Sequence, residues 1–218
     1  MRGSITMEKI QILVADDHGI IRMGLKKILL DEFPDAFICE VADGEDLIRK
    51  ARERKWNIIV SDLLMPGRDG LDVLKQIKKE FPQLPILVLS MYPEEQYAIR
   101  ALKAGAAGYV GKDSGAEVIA SAIRIVLSGK KYISSIVAEK LAENLSSESC
   151  QGGAHEKFSD RELEVLRLIA TGKSLSQIAA AFSLSLTTIS KYRSAILNKL
   201  NIKTNVGLTR YAIENKLV

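Results

Sequence analysis

With 218 residues, 47% of them hydrophobic and 27% charged, the chain has the length of one large or two ordinary domains and the composition of a soluble globular protein. No apolar run approaches the roughly 18–20 residues of a membrane span, the opening MRGSITMEK is too polar for a signal peptide, and two cysteines make no disulfide framework, which together fit a reducing, cytoplasmic location. The net charge of +4 hides an asymmetry: residues 1–130 hold 19 Lys/Arg and 19 Asp/Glu, residues 131–154 hold 2 and 3, and residues 155–218 hold 10 and 5, so the basic excess, and the expectation of a nucleic-acid partner, belong to the last third.

Residues 1–6 read as an extension ahead of Met7, the natural first residue. Residues 9–15 (KIQILVA) predict a strand ending in Asp16-Asp17-His18. From Gly19 to Phe33, Ile20, Ile21, Leu25, Ile28 and Leu29 are expected on one helical face, and Pro34 stops the helix. Residues 36–41 predict a second strand in which Cys39 is a small buried hydrophobe; Asp43-Gly44 is a turn and residues 45–55 are helical. The next strand, residues 57–61 (NIIVS), is apolar enough to be buried on both faces and delivers Asp62, after which Pro66-Gly67 turns the chain. Leu71, Val73, Leu74 and Ile77 outline a helix ending before Pro82, and residues 84–90 a strand ending at Ser90. Residues 94–104 predict a helix, residues 106–112 a strand ending in Lys112, and Ser114 the cap of a last helix running to about Ser128-Gly129.

Five strand–helix repeats of this kind imply a five-stranded, doubly wound parallel sheet with helices on both faces. Every polar residue of interest, Asp16, Asp17, Asp62, Ser90 and Lys112, ends a strand, and such ends meet at one rim of the sheet. Three carboxylates crowded there repel one another unless a hard divalent cation, for which Mg²⁺ is the natural choice, sits among them. A lysine beside them supplies fixed positive charge, and a serine hydroxyl can donate to an anionic oxygen. The set suits in-line attack of a carboxylate on a phosphoryl group.

On these residues, the acidic pair Asp16-Asp17, Asp62 in SDLLMPGRDG, Ser90 in VLSMY and Lys112 in GYVGKD, the chain resembles a CheY-like receiver domain over residues 8–129. The resemblance implies that Asp62 accepts phosphate from a cognate histidine kinase. It implies that Asp17, Asp62 and the Leu64 backbone carbonyl bind Mg²⁺, with Asp16 acting through water. It also implies a switch pair, in which the Ser90 hydroxyl turns toward the phosphoryl group and the Tyr109 ring rotates inward. Leu64 and Tyr92, each two residues beyond a site residue, are expected to flank the phosphoryl group and slow its hydrolysis.

Residues 130–155 read as a partly helical linker. Val137, Leu141 and Leu145 form a stripe, and a polar segment from Ser146 to Gly153 contains an inert Cys150. Beyond it, Ser159 with Glu162 forms a capping box for a helix carrying Leu163, Val165, Leu166, Leu168 and Ile169. A short helix follows with Ile178, Ala179 and Phe182 inward, then the turn Ser183-Leu184. Ser185 caps a third helix running to Leu200, with Ile189, Ile196 and Leu200 on one side and Thr187, Lys191, Ser194 and Asn198 on the other. Thr204 caps a fourth, in which Val206, Ile213 and Leu217 are expected to be buried. The motifs FSDRELEVLRLIATG, SLSQIAAAFSLSLTTISKY and ILNKL resemble a LuxR-type helix-turn-helix over residues 156–218, a small all-α domain. The two halves together are similar to the NarL/FixJ family of transcription regulators. The short, polar, basic outer face of the third helix, Thr187 included, can enter a DNA major groove, and the resemblance implies base contacts from Ser190, Lys191 and Ser194, phosphate contacts from Thr188, Arg193, Lys199 and Lys203, and a dimer contact from the last helix. Tyr192 stands where many relatives have His.

The expected protein is therefore a phosphorylation-dependent DNA-binding regulator, not an enzyme. It would pair with itself on promoter DNA, take its phosphoryl group from a histidine kinase, have RNA polymerase as a further candidate partner, and need no membrane. Two rivals are an enzyme with a covalent phosphoryl-Asp62 intermediate and a constitutive DNA-binding protein whose receiver serves only dimerisation.

Overall fold

In the computed structural model, residues 9–65, 67–146, 158–182, 184–215 and 217–218 are described. The expectations for residues 1–6, for Pro66 and Ser183 in their turns, for Cys150 and for the polar segment after Ser146 lie outside the described residues, as does that for the Leu145 side chain. The chain divides into two compact units, Met1–Ser146 and Ser147–Val218.

The first unit alternates strand and helix: β1 Gln11–Ala15, α1 Gly19–Glu32, β2 Phe37–Val41, α2 Gly44–Glu53, β3 Ile58–Ser61, α3 Gly70–Glu80, β4 Ile86–Ser90, α4 Glu94–Lys103, β5 Gly108–Gly111, α5 Ala116–Leu127 and α6 Ser135–Ser146. The strands form one parallel sheet in the order β2-β1-β3-β4-β5, as the alternation predicts. Alternate residues of the central strands face opposite sides. Ile12, Val14, Ile58, Val60, Leu87 and Leu89 pack with Leu25 and Leu29 of α1 and Ile119, Ile123 and Val126 of α5. On the opposite face, Leu47 of α2 and Val73, Leu74 and Ile77 of α3 close over Ser61 and Ile86. Each such apolar side chain contributes about 1.5–3 kcal/mol on burial, so the sheet holds its rim residues on a rigid base.

Three local details, two at helices and one on β2, depart from the expectations. Ile20 is 80% exposed, because it lies nine residues before Leu29, about two and a half helical turns and so on the opposite face. Ser114 does not cap α5: Gly115 holds the cap position without a side-chain bond, and the Ser114 N–H closes a turn on the Gly111 carbonyl (3.1 Å). Cys39 is half-buried. Asp43 and Asp69 cap α2 and α3 by accepting from the N–H of Asp46 and Leu71. At Gly70 a Cβ would stand 2.2 Å from the Leu63 carbonyl oxygen, so only glycine lets α3 begin this close to the loop after β3.

The second unit is helical: α7 Asp160–Ala170, α8 Leu175–Ala181, α9 Leu186–Leu200 and α10 Asn205–Glu214. Ser159 and Glu162 make the predicted capping box, and Ser185 and Thr204 cap α9 and α10 by accepting from the N–H of Thr188 and Gly207. Ile189 and Ile196 of α9 are fully buried, as are Val165 and Leu166 of α7. The expectation for the fourth helix fails for two residues of three: Leu217, which lies past the end of α10, is buried, but Val206 is 79% and Ile213 60% exposed. Leu208 and Ala212, four apart, supply the buried face instead, and α10 packs on α7.

Candidate functional site

Strand register brings the acids together. Ala15 of β1 lies opposite Ser61 of β3, so the next residues, Asp16 and Asp62, leave neighbouring strand ends side by side. The Asp62 N–H donates to the Ala15 carbonyl (2.8 Å), which locks that register to the rim. Ser90 ends β4 opposite Gly111 of β5, and the Lys112 N–H donates to the Ser90 carbonyl (2.8 Å).

Lys112 reaches across the rim to both carboxylates. Its Nζ lies 2.5 Å from Asp16 Oδ2 and 2.7 Å from Asp62 Oδ2, and all three side chains are nearly inaccessible. Burial pushes the Asp62 carboxyl above its ordinary range against the attraction of Lys112 and the Leu64 N–H, which donates to Oδ1 (3.1 Å); the Asp16 charge adds to the rise. Burial also works against the Lys112 ammonium, but the two carboxylates together outweigh it and hold the lysine protonated.

Asp17 is partly exposed and completes the acid cluster. Ligand atoms of Asp16, Asp17, His18 and Asp62 all lie within 4.8 Å of one another. Asp17 Oδ1 is buried and makes no hydrogen bond, although His18 Nδ1 is 2.7 Å away. An acceptor oxygen left over beside two more carboxylates is the donor set of a hard, oxygen-loving divalent cation, so these residues fit Mg²⁺. His18 was not singled out from the sequence, although its place directly after Asp17 was the signal.

Ser90 is fully buried at the same rim, and its Oγ accepts from the Tyr92 N–H (3.4 Å). The Tyr109 ring is 1% exposed and lies inward, with its hydroxyl donating to the Tyr92 carbonyl (3.0 Å). Tyr92 stacks on Tyr97 with centroids 4.6 Å apart, and Leu64 is half-buried.

In the second unit, α8 and α9 pack as a helix pair, and the Leu184 N–H donates to the Ala179 carbonyl (2.9 Å) across the turn. Thr187, Lys191, Ser194, Asn198 and Lys199 are exposed on α9, Thr188, Ser190 and Arg193 are half-buried, and Lys203 is exposed just beyond it. Two of the expected phosphate contacts already have partners. Arg193 Nε donates to Asn205 Oδ1 (2.6 Å), and Lys199 Nζ lies 2.5 Å from Glu162 Oε2, beside the Phe158 ring. Phe182, expected inward, is half-buried under the Arg161 guanidinium (5.1 Å to the ring centroid).

Residues 12–124 match the response regulator receiver domain family, and residues 156–212 match the bacterial regulatory proteins of the luxR family. The chain is similar to the response regulator UvrY of Escherichia coli strain K12, 32% identical over 95% of each chain. It is also similar to the oxygen regulatory protein NreC of Staphylococcus epidermidis, 34% identical over 95% of this chain and 99% of that protein. Among solved structures, RcsB of Salmonella enterica serovar Typhimurium bound to a promoter in the presence of phosphomimetic BeF3− is similar with a TM-score of 0.57 and 28% identity, over 93% of this chain and 97% of that one.

Proposed function

Because this chain belongs to the NarL/FixJ family of two-component response regulators, a receiver joined to a LuxR-type DNA-binding domain, we propose that Asp62 accepts a phosphoryl group from a histidine kinase and that this modification governs promoter binding by a dimer. The observation that supports it is the buried Asp16–Lys112–Asp62 group with the unsatisfied Asp17 oxygen beside it. Buried carboxylates this close carry a free-energy cost that a purely structural site would avoid with apolar residues.

In the proposed reaction a carboxylate oxygen of Asp62 forms the new bond to phosphorus as the bond to the leaving group breaks and its electron pair departs with that group. Asp17, Asp62 and the Leu64 carbonyl would hold Mg²⁺, with Asp16 acting through water, and the ion would supply positive charge to stabilise the transferring oxygens. Lys112 brings a second positive charge and needs only to shift its grip from Asp62 Oδ2 to the phosphoryl group. Ser90 offers a hydroxyl to the same oxygens. The Tyr109 hydroxyl and the Tyr92 carbonyl tie this rim to the β4–α4 loop. In the second unit, Ser190, Lys191 and Ser194 would read bases from α9, with Thr187 and Thr188 near its N-terminus and Arg193, Lys199 and Lys203 toward the phosphates. Val206 and Ile213, exposed seven residues apart on α10, offer an apolar stripe for the dimer contact. In this reading residues 8–129 form the receiver, 130–155 the linker and 156–218 the DNA-binding domain; the division between the two units, after Ser146, falls inside that linker and leaves α6 with the first unit.

The test is labelling with acetyl phosphate and Mg²⁺. Asp62 should take up one phosphoryl group, and Asp62→Asn or chelation with EDTA should abolish uptake. A protein that refuses both acetyl phosphate and its kinase while still regulating its promoters would overturn the proposal. One observation favours the constitutive rival: the Tyr109 ring already lies inward. Equal operator affinity with and without beryllofluoride would select that reading.

A further inference from the structure

Helix α6 is the last element of the first unit, so whatever the chain itself transmits onward passes through it. Three attachments fix its head. The segment before it lies along β5: the Tyr132 N–H donates to the Ala107 carbonyl (2.9 Å), and a Cβ at Gly108 would stand 3.0 Å from the Tyr132 carbonyl oxygen, so glycine sets how near the segment comes. Val137 is buried, and α6 packs on α4. The third attachment is polar. The Ser134 hydroxyl accepts from the Val137 N–H (3.3 Å) as the cap of α6 and donates to Glu94 Oε2.

Glu94 is the first residue of α4, and its other oxygen, Oε1, accepts from the Gly111 N–H (3.3 Å). Gly111 adjoins Lys112, whose ammonium holds Asp16 and Asp62. The loop that carries Glu94 meets the rim on its other side as well, through the Tyr92 N–H on Ser90 Oγ and the Tyr109 hydroxyl on the Tyr92 carbonyl. One carboxylate therefore spans the tip of β5 and the head of α6, with both bonds charge-assisted.

From this geometry we infer that Glu94 is a positioning residue, a two-ended clamp that couples the state of the Asp62 rim to the anchorage of α6. The inference rests on the reading that a group on Asp62 governs the DNA-binding unit. A new anion on Asp62 draws the Ser90 hydroxyl and the Lys112 ammonium toward itself. The Tyr92 N–H then loses its acceptor and the β5 tip follows Lys112. Glu94 touches both moving parts, so its hold on Ser134 changes with them. This is a two-state element that the modification biases, with a named contact at each end.

Three variants of the full chain separate the clamp from the helix cap. Ser134→Asp keeps an acceptor for the Val137 N–H, since Asp caps as well as Ser, but cannot donate to Glu94 and repels it. Glu94→Ala leaves the cap untouched, and Ser134→Thr keeps both functions. Hydrogen exchange of the α6 amides and operator affinity are measured with and without beryllofluoride and Mg²⁺. In the wild type both should respond. In Ser134→Asp and Glu94→Ala the α6 response should disappear and the activated-to-basal affinity ratio should fall by about fivefold or more, while acetyl phosphate uptake stays within about twofold of wild type. Ser134→Thr should behave as wild type. A responsive wild type whose Ser134→Asp and Glu94→Ala forms keep the full ratio overturns the clamp alone, as does Ser134→Thr failing as badly as Ser134→Asp. A wild type indifferent to beryllofluoride overturns the reading of Asp62 and the clamp with it.

Discussion

Burial raises the Asp62 carboxyl above its ordinary range, against the pull of Lys112 and the Leu64 N–H. An acid raised in the folded state stabilises the fold fully below its unfolded pKa and loses that contribution as pH rises through the folded value. Asp62→Asn removes the penalty, and Lys112 keeps Asp16 as a partner. Urea denaturation without divalent cations should therefore give the Asn variant a higher midpoint than wild type at pH 7, with the gap closing below the carboxylate range. A less stable variant at pH 7 contradicts the assignment. Leu64, half-buried two residues on, offers an attacking water no partner. Leu64→Asn supplies one and should speed loss of the phosphoryl group by about tenfold, about 1.4 kcal/mol in barrier; an unchanged rate would show that hydrolysis is governed elsewhere. Lys191 is exposed, and if it reads bases as proposed, Lys191→Ala should flatten sequence preference. Lys199→Ala should lower affinity and the salt slope, and should also destabilise the second unit, because the lysine is paired with the buried Glu162.

Among the elements, α10 shows the plainest division of labour. Leu208 and Ala212 pack inward, while Val206 and Ile213 share an outward stripe that the second unit by itself does not cover. Ile213→Glu should leave the melting temperature within a degree or so, since surface changes cost little. Operator affinity should nonetheless fall about tenfold or more through the lost dimer, as sedimentation and footprinting would register. If the variant still dimerises and binds as wild type, another face makes the contact. The α7 capping box gives a matching structural control: Ser159→Ala frees one N–H and should cost about 1 kcal/mol without altering base preference.

Across the molecule, charge and chemistry are divided between the two units. The acid cluster is in the first, and residues 155–218 carry 10 Lys/Arg against 5 Asp/Glu. Operator affinity should therefore fall steeply with salt, whereas phosphoryl uptake should not. Footprinting on genomic DNA with wild type and Asp62→Asn, each with and without phosphodonor, reads both halves at once. Occupancy that rises with donor in the wild type alone is the expected result.

Much of this was legible in the chain alone. Short, nearly continuous apolar runs ending in Asp16, Asp62, Ser90 and Lys112, each followed by a helical pattern, determined both the parallel sheet and the rim, because residue type at a strand end and strand order together locate a site in such folds. Helix caps such as Ser159 and Thr204 were equally local, each needing only a side chain and an N–H three residues on. Tertiary structure decided whatever depends on which face meets a neighbour. An apolar residue records only that it can be buried, so Ile20, Val206 and Ile213 looked like core and lie outside. It also decided partners distant in sequence, since no spacing rule links Lys199 to Glu162 or Glu94 to Ser134; only packing brings such pairs within reach.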